Sequence, residues 1–265
     1  MRIGTRFAIS LLVLLALPPS KATAAAPFVY RDLVLPHGDV ALDFGLGMGH
    51  LPPTATTPST NGFGLNLELT FGLARDVQLG IRTGFRLDDA GQRTQADGYG
   101  RLFETETYDT GGDRIANPEI SALWAVARGA HAELGLKLAA YLPFEHNTRF
   151  GMMVALPVAL HGGSLRLDTG VYLPVIFSDP KATTIISVPA HLWVQLTSRF
   201  WMGPLFGMRV VTSGPGNNVS YPLGFGLGSM LNPNVDLRGW LLFPDINRDQ
   251  AARTFGVGVS LQFRF

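Results

Sequence analysis

The chain has 265 residues, with only 15% charged, 31 Gly, no Cys and a formal net charge of +1. Soluble domains average about a quarter charged residues, so this composition points away from an ordinary water-facing surface. Near-neutral charge excludes the concentrated basic face that nucleic acid requires, and the missing Cys excludes disulfides, thiolate metal sites and an N-terminal lipidated Cys.

Residues 1–26 read as a cleaved signal peptide. Arg2 and Arg6 form a positive start, Phe7 to Leu17 a short apolar run, and Ala22-Thr23-Ala24 or Ala24-Ala25-Ala26 a small-residue cleavage pattern. The apolar run is too short for a membrane helix, and no other stretch comes closer. Residence in a membrane would therefore have to be as a closed barrel. Residues 27–37 read as an N-terminal linker and 38–265 as the folded unit.

From Val40 onward the dominant period is two. Val40, Leu42, Phe44, Leu46 and Met48 alternate with Ala41, Asp43, Gly45, Gly47 and Gly49, which predicts a strand with one apolar and one polar face. A polar loop, His50 to Asn61, leads to Phe63, Leu65, Leu67, Leu69 and Phe71, alternating with Gly64, Asn66, Glu68, Thr70 and Gly72. After the Ala74-Arg75-Asp76 turn, Val77, Leu79, Ile81, Thr83 and Phe85 oppose Gln78, Gly80, Arg82, Gly84 and Arg86. Asp88 to Asn117 is the longest polar segment. Glu119 to Ala127 and Ala132 to Leu142 follow as strands across a turn at Arg128 to His131. Met152 to Leu160 and Leu165 to Phe177 flank the His161-Gly162-Gly163-Ser164 turn, a hairpin signal. Ile185 to Leu196 and Phe200 to Val210 meet at Thr197-Ser198-Arg199. Tyr221 to Leu231 and Val235 to Phe243 join through Asn232-Pro233-Asn234.

The last stretch, Thr254 to Phe265, alternates throughout. Phe255, Val257, Val259, Leu261, Phe263 and Phe265 share one face; Thr254, Gly256, Gly258, Ser260, Gln262 and Arg264 share the other. The whole reads as an all-β, antiparallel, up-and-down transmembrane barrel of about twelve strands, with tight turns alternating with longer loops. An even number puts both ends on the tight-turn side. Aromatic residues on the apolar face form two expected belts: Phe63, Phe85, Phe177, Tyr221, Phe243 and Phe255 at the loop ends, and Phe71, Phe200, Phe263 and Phe265 at the turn ends. Pro157, Pro174, Pro189, Pro204 and Pro222 fall inside strands, where a closed barrel has no free edge, and predict bulges or shortened pairing.

The closing strand resembles that of Gram-negative outer-membrane β-barrels, in which apolar residues at every second position lead to a terminal Phe. The resemblance implies residence in the cell outer membrane, lipid as a partner, and Phe263 and Phe265 as the signal read by the barrel-assembly machinery. Together with the Asn117-Pro118-Glu119 entry, the Gly-rich alternating strands and the loop after the third strand, the chain resembles the outer-membrane proteins grouped with meta-pathway phenol-degradation transporters. That likeness implies passive passage of small, hydrophobic or aromatic molecules. A non-conducting structural or surface-binding barrel is the alternative, and a lipid-modifying barrel enzyme a third.

The expected inward face supplies the candidate lumen residues: Glu68, Arg82, Arg86, Glu133, Lys137, Tyr141, Arg166, Asp168, Tyr172, His191, Arg209 and Arg238. They would either line a polar pore or pair across the lumen and fill it. Glu68 and Arg82, at mid-depth on adjacent strands, are the expected ion pair. The apolar face shows Thr83, Thr169 and Ser229 but no His, unlike the barrel phospholipase arrangement of Ser and His toward lipid. No catalytic residue, metal site or cofactor is expected, and nucleic acid is not a partner.

Overall fold

The computed structural model describes residues 26–53, 58–86, 115–146, 148–177, 182–212, 218–247 and 253–265. The strands are β1 (Val40–Leu51), β2 (Thr60–Ala74), β3 (Val77–Arg86), β4 (Glu119–Arg128), β5 (Ala132–Tyr141), β6 (Gly151–Gly162) and β7 (Leu165–Ile176). They continue as β8 (Thr183–Gln195), β9 (Phe200–Val211), β10 (Asn218–Ser220), β11 (Leu223–Asn232), β12 (Val235–Phe243) and β13 (Phe255–Arg264). Each pairs antiparallel with its sequence neighbour; β13 returns to β1 and β8 pairs with β9, so the sheet closes. Both β10 and β11 pair with β9, on either side of Tyr221-Pro222, and form one interrupted stave. The result is a closed, twelve-stave, up-and-down barrel, as the alternation predicts.

Phe265 completes the seam. Its N–H donates to the Val40 carbonyl at 2.9 Å and its carbonyl accepts from Val40 N–H at 3.1 Å. Both ends of the barrel chain therefore meet on the tight-turn rim.

The alternation sorts the two faces. Phe44, Leu46, Leu69, Leu79, Ile81, Ile120, Val154, Leu156, Phe225 and Leu227 all project outward and exposed. An apolar surface running all round a closed sheet is incompatible with water and fits hydrocarbon. Phe63, Phe85, Phe177 and Tyr221 are exposed near one rim and Phe71 near the other, in the expected belts. The Phe150 and Phe177 rings stack at 6.0 Å.

In-register inward residues climb the wall. Asp236, Gln262, Asp43, Glu68, Arg82, Glu119, Tyr141, Gly151 and Ile176 are successive Cα partners from β12 round to β7. The row starts beside the turn rim on β12 and ends beside the loop rim on β7, the stagger that tilted strands need to close.

The in-strand prolines are accommodated by gaps in one ladder, and in the intact ladder Pro157 and Pro189 face Gly170 and Gly207. The β5–β6 register skips from Leu134↔Val158 to Lys137↔Ala155 around Pro157, whose other partner is Gly170. The β7–β8 ladder skips at Pro189 and again at Pro174; the β8–β9 ladder skips between His191↔Leu205 and Val194↔Met202, beside Pro204. A Pro lacks one donor, so each ladder opens on one side only. Gly170 has φ of 151°, and a Cβ there would lie 2.5 Å from the Leu156 carbonyl oxygen and 2.8 Å from Pro157 Cα. Gly170→Ala is therefore expected to lower barrel stability by about 1–3 kcal/mol. The temperature at which the folded, fast-migrating gel band is lost will measure it; an unchanged temperature would contradict this account.

The long polar segment lies outside the described residues except at its returning end. There Asn117 Oδ1 accepts from the N–H groups of Phe144 (2.7 Å) and Glu145 (2.8 Å) and from the Thr148 hydroxyl (3.3 Å). Glu145 Oε1 accepts from Asn117 N–H in return, at 3.2 Å. This buried staple fixes the entry into β4, so the Asn-Pro-Glu step is a packing device.

Candidate functional site: the lumen and its turn-side mouth

The segment expected as a linker is not one. Residues 26–39 turn inward and cross the barrel at the tight-turn rim. Six of the eight residues in Phe28 to Leu35 are apolar or aromatic, which a solvated linker has no use for. Phe28–Tyr30 form a single 3-10 turn, and Val29 and Val34 are buried. Val34 packs with Leu33 on Leu123 and Ala125.

The strap is held mainly by side chains of the wall. Phe28 stacks on Trp201 (centroids 4.6 Å apart, planes 4° apart) and meets Trp193 edge-on at 5.5 Å. Both indoles can lie flat because β11 offers Gly226 and Gly228 beneath them, where any Cβ would strike the rings. Val29 N–H donates to Gln195 Oε1 at 3.3 Å, Leu33 N–H to Glu133 Oε2 at 3.2 Å, and Leu35 N–H to Gln78 Oε1 at 2.8 Å. The Tyr30 hydroxyl donates to the Gly163 carbonyl at 2.5 Å, and Asp32 pairs with Arg128 at 3.1 Å. Pro36 lies against Gly72, where a side chain would collide with its carbonyl.

At the centre of this contact is Asp236, fully buried on β12. Arg31 reaches it with both terminal nitrogens, the longer bond being 3.1 Å, and Arg264 reaches it from β13 at 2.8 and 3.2 Å. The Arg31 guanidinium also lies over Phe28 (5.7 Å) and Trp201 (5.6 Å). Burial pulls Arg31 below its ordinary value, and the Asp236 carboxylate opposes that pull, so the charged form is retained.

The expected lumen residues divide between this mouth and two unlike walls. Glu133 accepts from Leu33 and sits 3.8 Å from Arg128, so it is a strap anchor. Arg166 donates to the Arg31 carbonyl and to Asp168 Oδ1 (2.7 Å), and Asp168 also accepts from the Trp193 indole N–H at 3.1 Å. His191 packs edge-on to Trp193 at 6.3 Å.

On the charged wall, from β12 round to β5, Arg82 faces Glu68 on one side and Glu119 on the other. Its guanidinium bonds the Glu119 carboxylate on β4, and Glu68, expected to pair with it, lies directly opposite on β2. Lys137 joins the same carboxylate at 3.5 Å, and Arg238 lies 3.7 Å from Asp43. Adjacent strands on both sides offer Arg82 a carboxylate, and sequence alternation alone could not register the one on β4. Arg86 ends β3 opposite Gly64, with its side chain outside the described residues.

On the other wall, Tyr141 and Tyr172 are packed with Ala139, Met153, Ala155 and Ile176, and the Tyr141 hydroxyl points to Met153 S at 3.4 Å. Arg209 is buried on β9 opposite Ser187. Side chains of the charged wall reach water, at 12–24% exposure for Arg82, Lys137, Asp43 and Arg238, whereas Met153, Ile185 and Ser187 are at 0–1%. Any water path therefore borders the charged wall, and at the mouth also Asp168 on β7, which is 27% exposed.

Two further placements follow. Phe263 and Phe265 lie on the outward face at the turn rim, Phe263 between Leu42 and Val235. His50, expected in a loop, is within β1 on the outward face at the loop rim. Its ring stacks on Phe255 at 5.3 Å, and its Nδ1 lies 2.7 Å from Asn61 Oδ1. The apolar face thus does carry a His, and among the described residues its hydrogen-bond partner is that amide. Among the same residues no cluster of His, Asp or Glu has metal-binding geometry.

No family model and no curated protein matches the chain. Among solved structures it is similar to the NanC porin, at 8% identity and a TM-score of 0.59 over 84% of this chain and 98% of that one. It is similar to the KdgM porin in complex with disordered oligogalacturonate, at 10% identity and TM-score 0.55 over 85% and 99%. The translocator domain of autotransporter NalP from Neisseria meningitidis follows at 9% identity and TM-score 0.51 over 99% and 95%. At such identities the likeness is one of fold, and the fold is the outer-membrane β-barrel to which these porins belong.

Proposed function

We propose that the protein is an outer-membrane channel for small polar solutes, with a modest preference for anions. The observation that carries this reading is the charged wall, whose water-reaching side chains are Arg82, Lys137 and Arg238 against Asp43 and Glu68, enclosed by a continuous apolar belt. Fixed charges along a narrow path concentrate the field and select by sign. Near-balance between carboxylates and cations keeps the preference small. The solved likeness to KdgM, whose complex holds an acidic oligosaccharide, supports the same class of solute. A hydrophobic or aromatic solute draws support from the resemblance of the chain, not from this wall, because Tyr141 and Tyr172 are packed away.

Arg82→Glu tests the reading. It sets a third carboxylate between Glu68 and Glu119, so reconstituted protein is expected to switch from weak anion to cation preference. Reversal-potential measurements in a salt gradient will show the change; an unchanged preference would remove Arg82 from the solute path. A second reading, a non-conducting structural barrel, is favoured by the dense burial of the β6–β9 inner wall and by the strap. Silent bilayers containing verified folded protein, intact and with the strap removed, would decide for it.

A further inference from the structure

We infer that the Phe28–Pro36 strap is a gate: it closes the turn-side mouth at rest, and its departure as a unit opens the charged water path. The inference rests on the channel reading above. Three features distinguish a gate from a permanent part of the wall. First, the barrel closes without it, since β1 to β13 satisfy their ladders among themselves and the strap adds no strand. Along Val29, Leu33 and Leu35 its N–H groups go to the side chains of Gln195, Glu133 and Gln78, which water can replace.

Second, its departure leaves no stranded charge. Asp236 keeps Arg264 when Arg31 leaves, and Arg166 keeps Asp168. A buried carboxylate held by one removable and one resident guanidinium is paired in both states, the condition for a two-state element at tolerable cost. Third, the strap has a pivot. Gly38, at φ 86°, precedes β1, is tied to the Gly72 carbonyl at 2.8 Å, and would meet nothing within 4 Å at its Cβ. The chain can swing there while Val40 stays in the seam. Against release stand the Phe28 stack and the Arg31 bonds, so closure is the resting state.

The test uses the full-length protein and a variant lacking residues 28–36, both checked for the heat-sensitive folded band and reconstituted in planar bilayers. The deletion is expected to raise mean conductance several-fold. A synthetic peptide of residues 27–37, applied in the millimolar range that a short tether supplies, should close the deleted barrel again. It should act from the turn side only, and its Arg31→Ala version should fail. If the deletion misfolds, full-length Phe28→Ala/Arg31→Ala replaces it, with open probability raised several-fold. Equal conductance of intact and strap-free barrels would overturn the gate and leave the channel standing. Silence of both would overturn the channel reading and the gate with it, and block by peptide from the loop side would place the receptor elsewhere.

Discussion

Asp236→Ala is expected to be the most damaging single substitution in the barrel wall, at about 3–5 kcal/mol of folding stability. The side chain is fully buried and holds Arg31 and Arg264 at once. Removing it leaves two guanidiniums, each mostly shielded from water, facing each other and Arg238. Adding Arg31→Ala to the same protein should restore part of the loss, because one of the uncompensated charges disappears. Urea or thermal loss of the folded gel band across the four proteins of this cycle gives the coupling directly. Strict additivity would mean that Arg31 and Asp236 do not sense one another, and would remove the main electrostatic anchor of the strap.

Phe265→Asp is expected to abolish most accumulation of folded protein in the membrane, far beyond its cost to the finished barrel. A carboxylate near the bilayer interface costs only about 0–1 kcal/mol. Phe265 pairs through its backbone with Val40, bonds that Asp would keep. The large effect would come instead from assembly, where the terminal aromatic resembles the signal that the insertion machinery reads. Refolding purified chain into detergent separates the two: the variant should fold there nearly as well as the parent while failing in cells. Failure in detergent as well would make Phe265 a packing residue; normal levels in cells would end its role as a signal.

Much of this fold is legible in the sequence because a barrel is the repetition of one local rule. Side chains alternate across a strand whatever lies beside it. Leu65, Leu67 and Leu69 against Asn66, Glu68 and Thr70 therefore define outside and inside without any tertiary knowledge. Closing strand and even count follow from the same rule. What alternation leaves open is which inward residues meet, since that depends on register and tilt. Arg82 has carboxylates directly opposite on both neighbouring strands, and only the register of β3 against β4, across the long polar segment, adds Glu119 to the expected Glu68. Pro157 reads as a fault until Gly170 is seen opposite. Phe28, Tyr30 and Arg31 precede the first strand and follow no period, so by alternation alone they read as a linker. The partners of Phe28 and Arg31 at Trp193, Trp201 and Asp236 lie more than 160 residues away, and distance along the chain carries no trace of contact across a lumen. Local alternation decided the shell; closure in three dimensions decided what fills it.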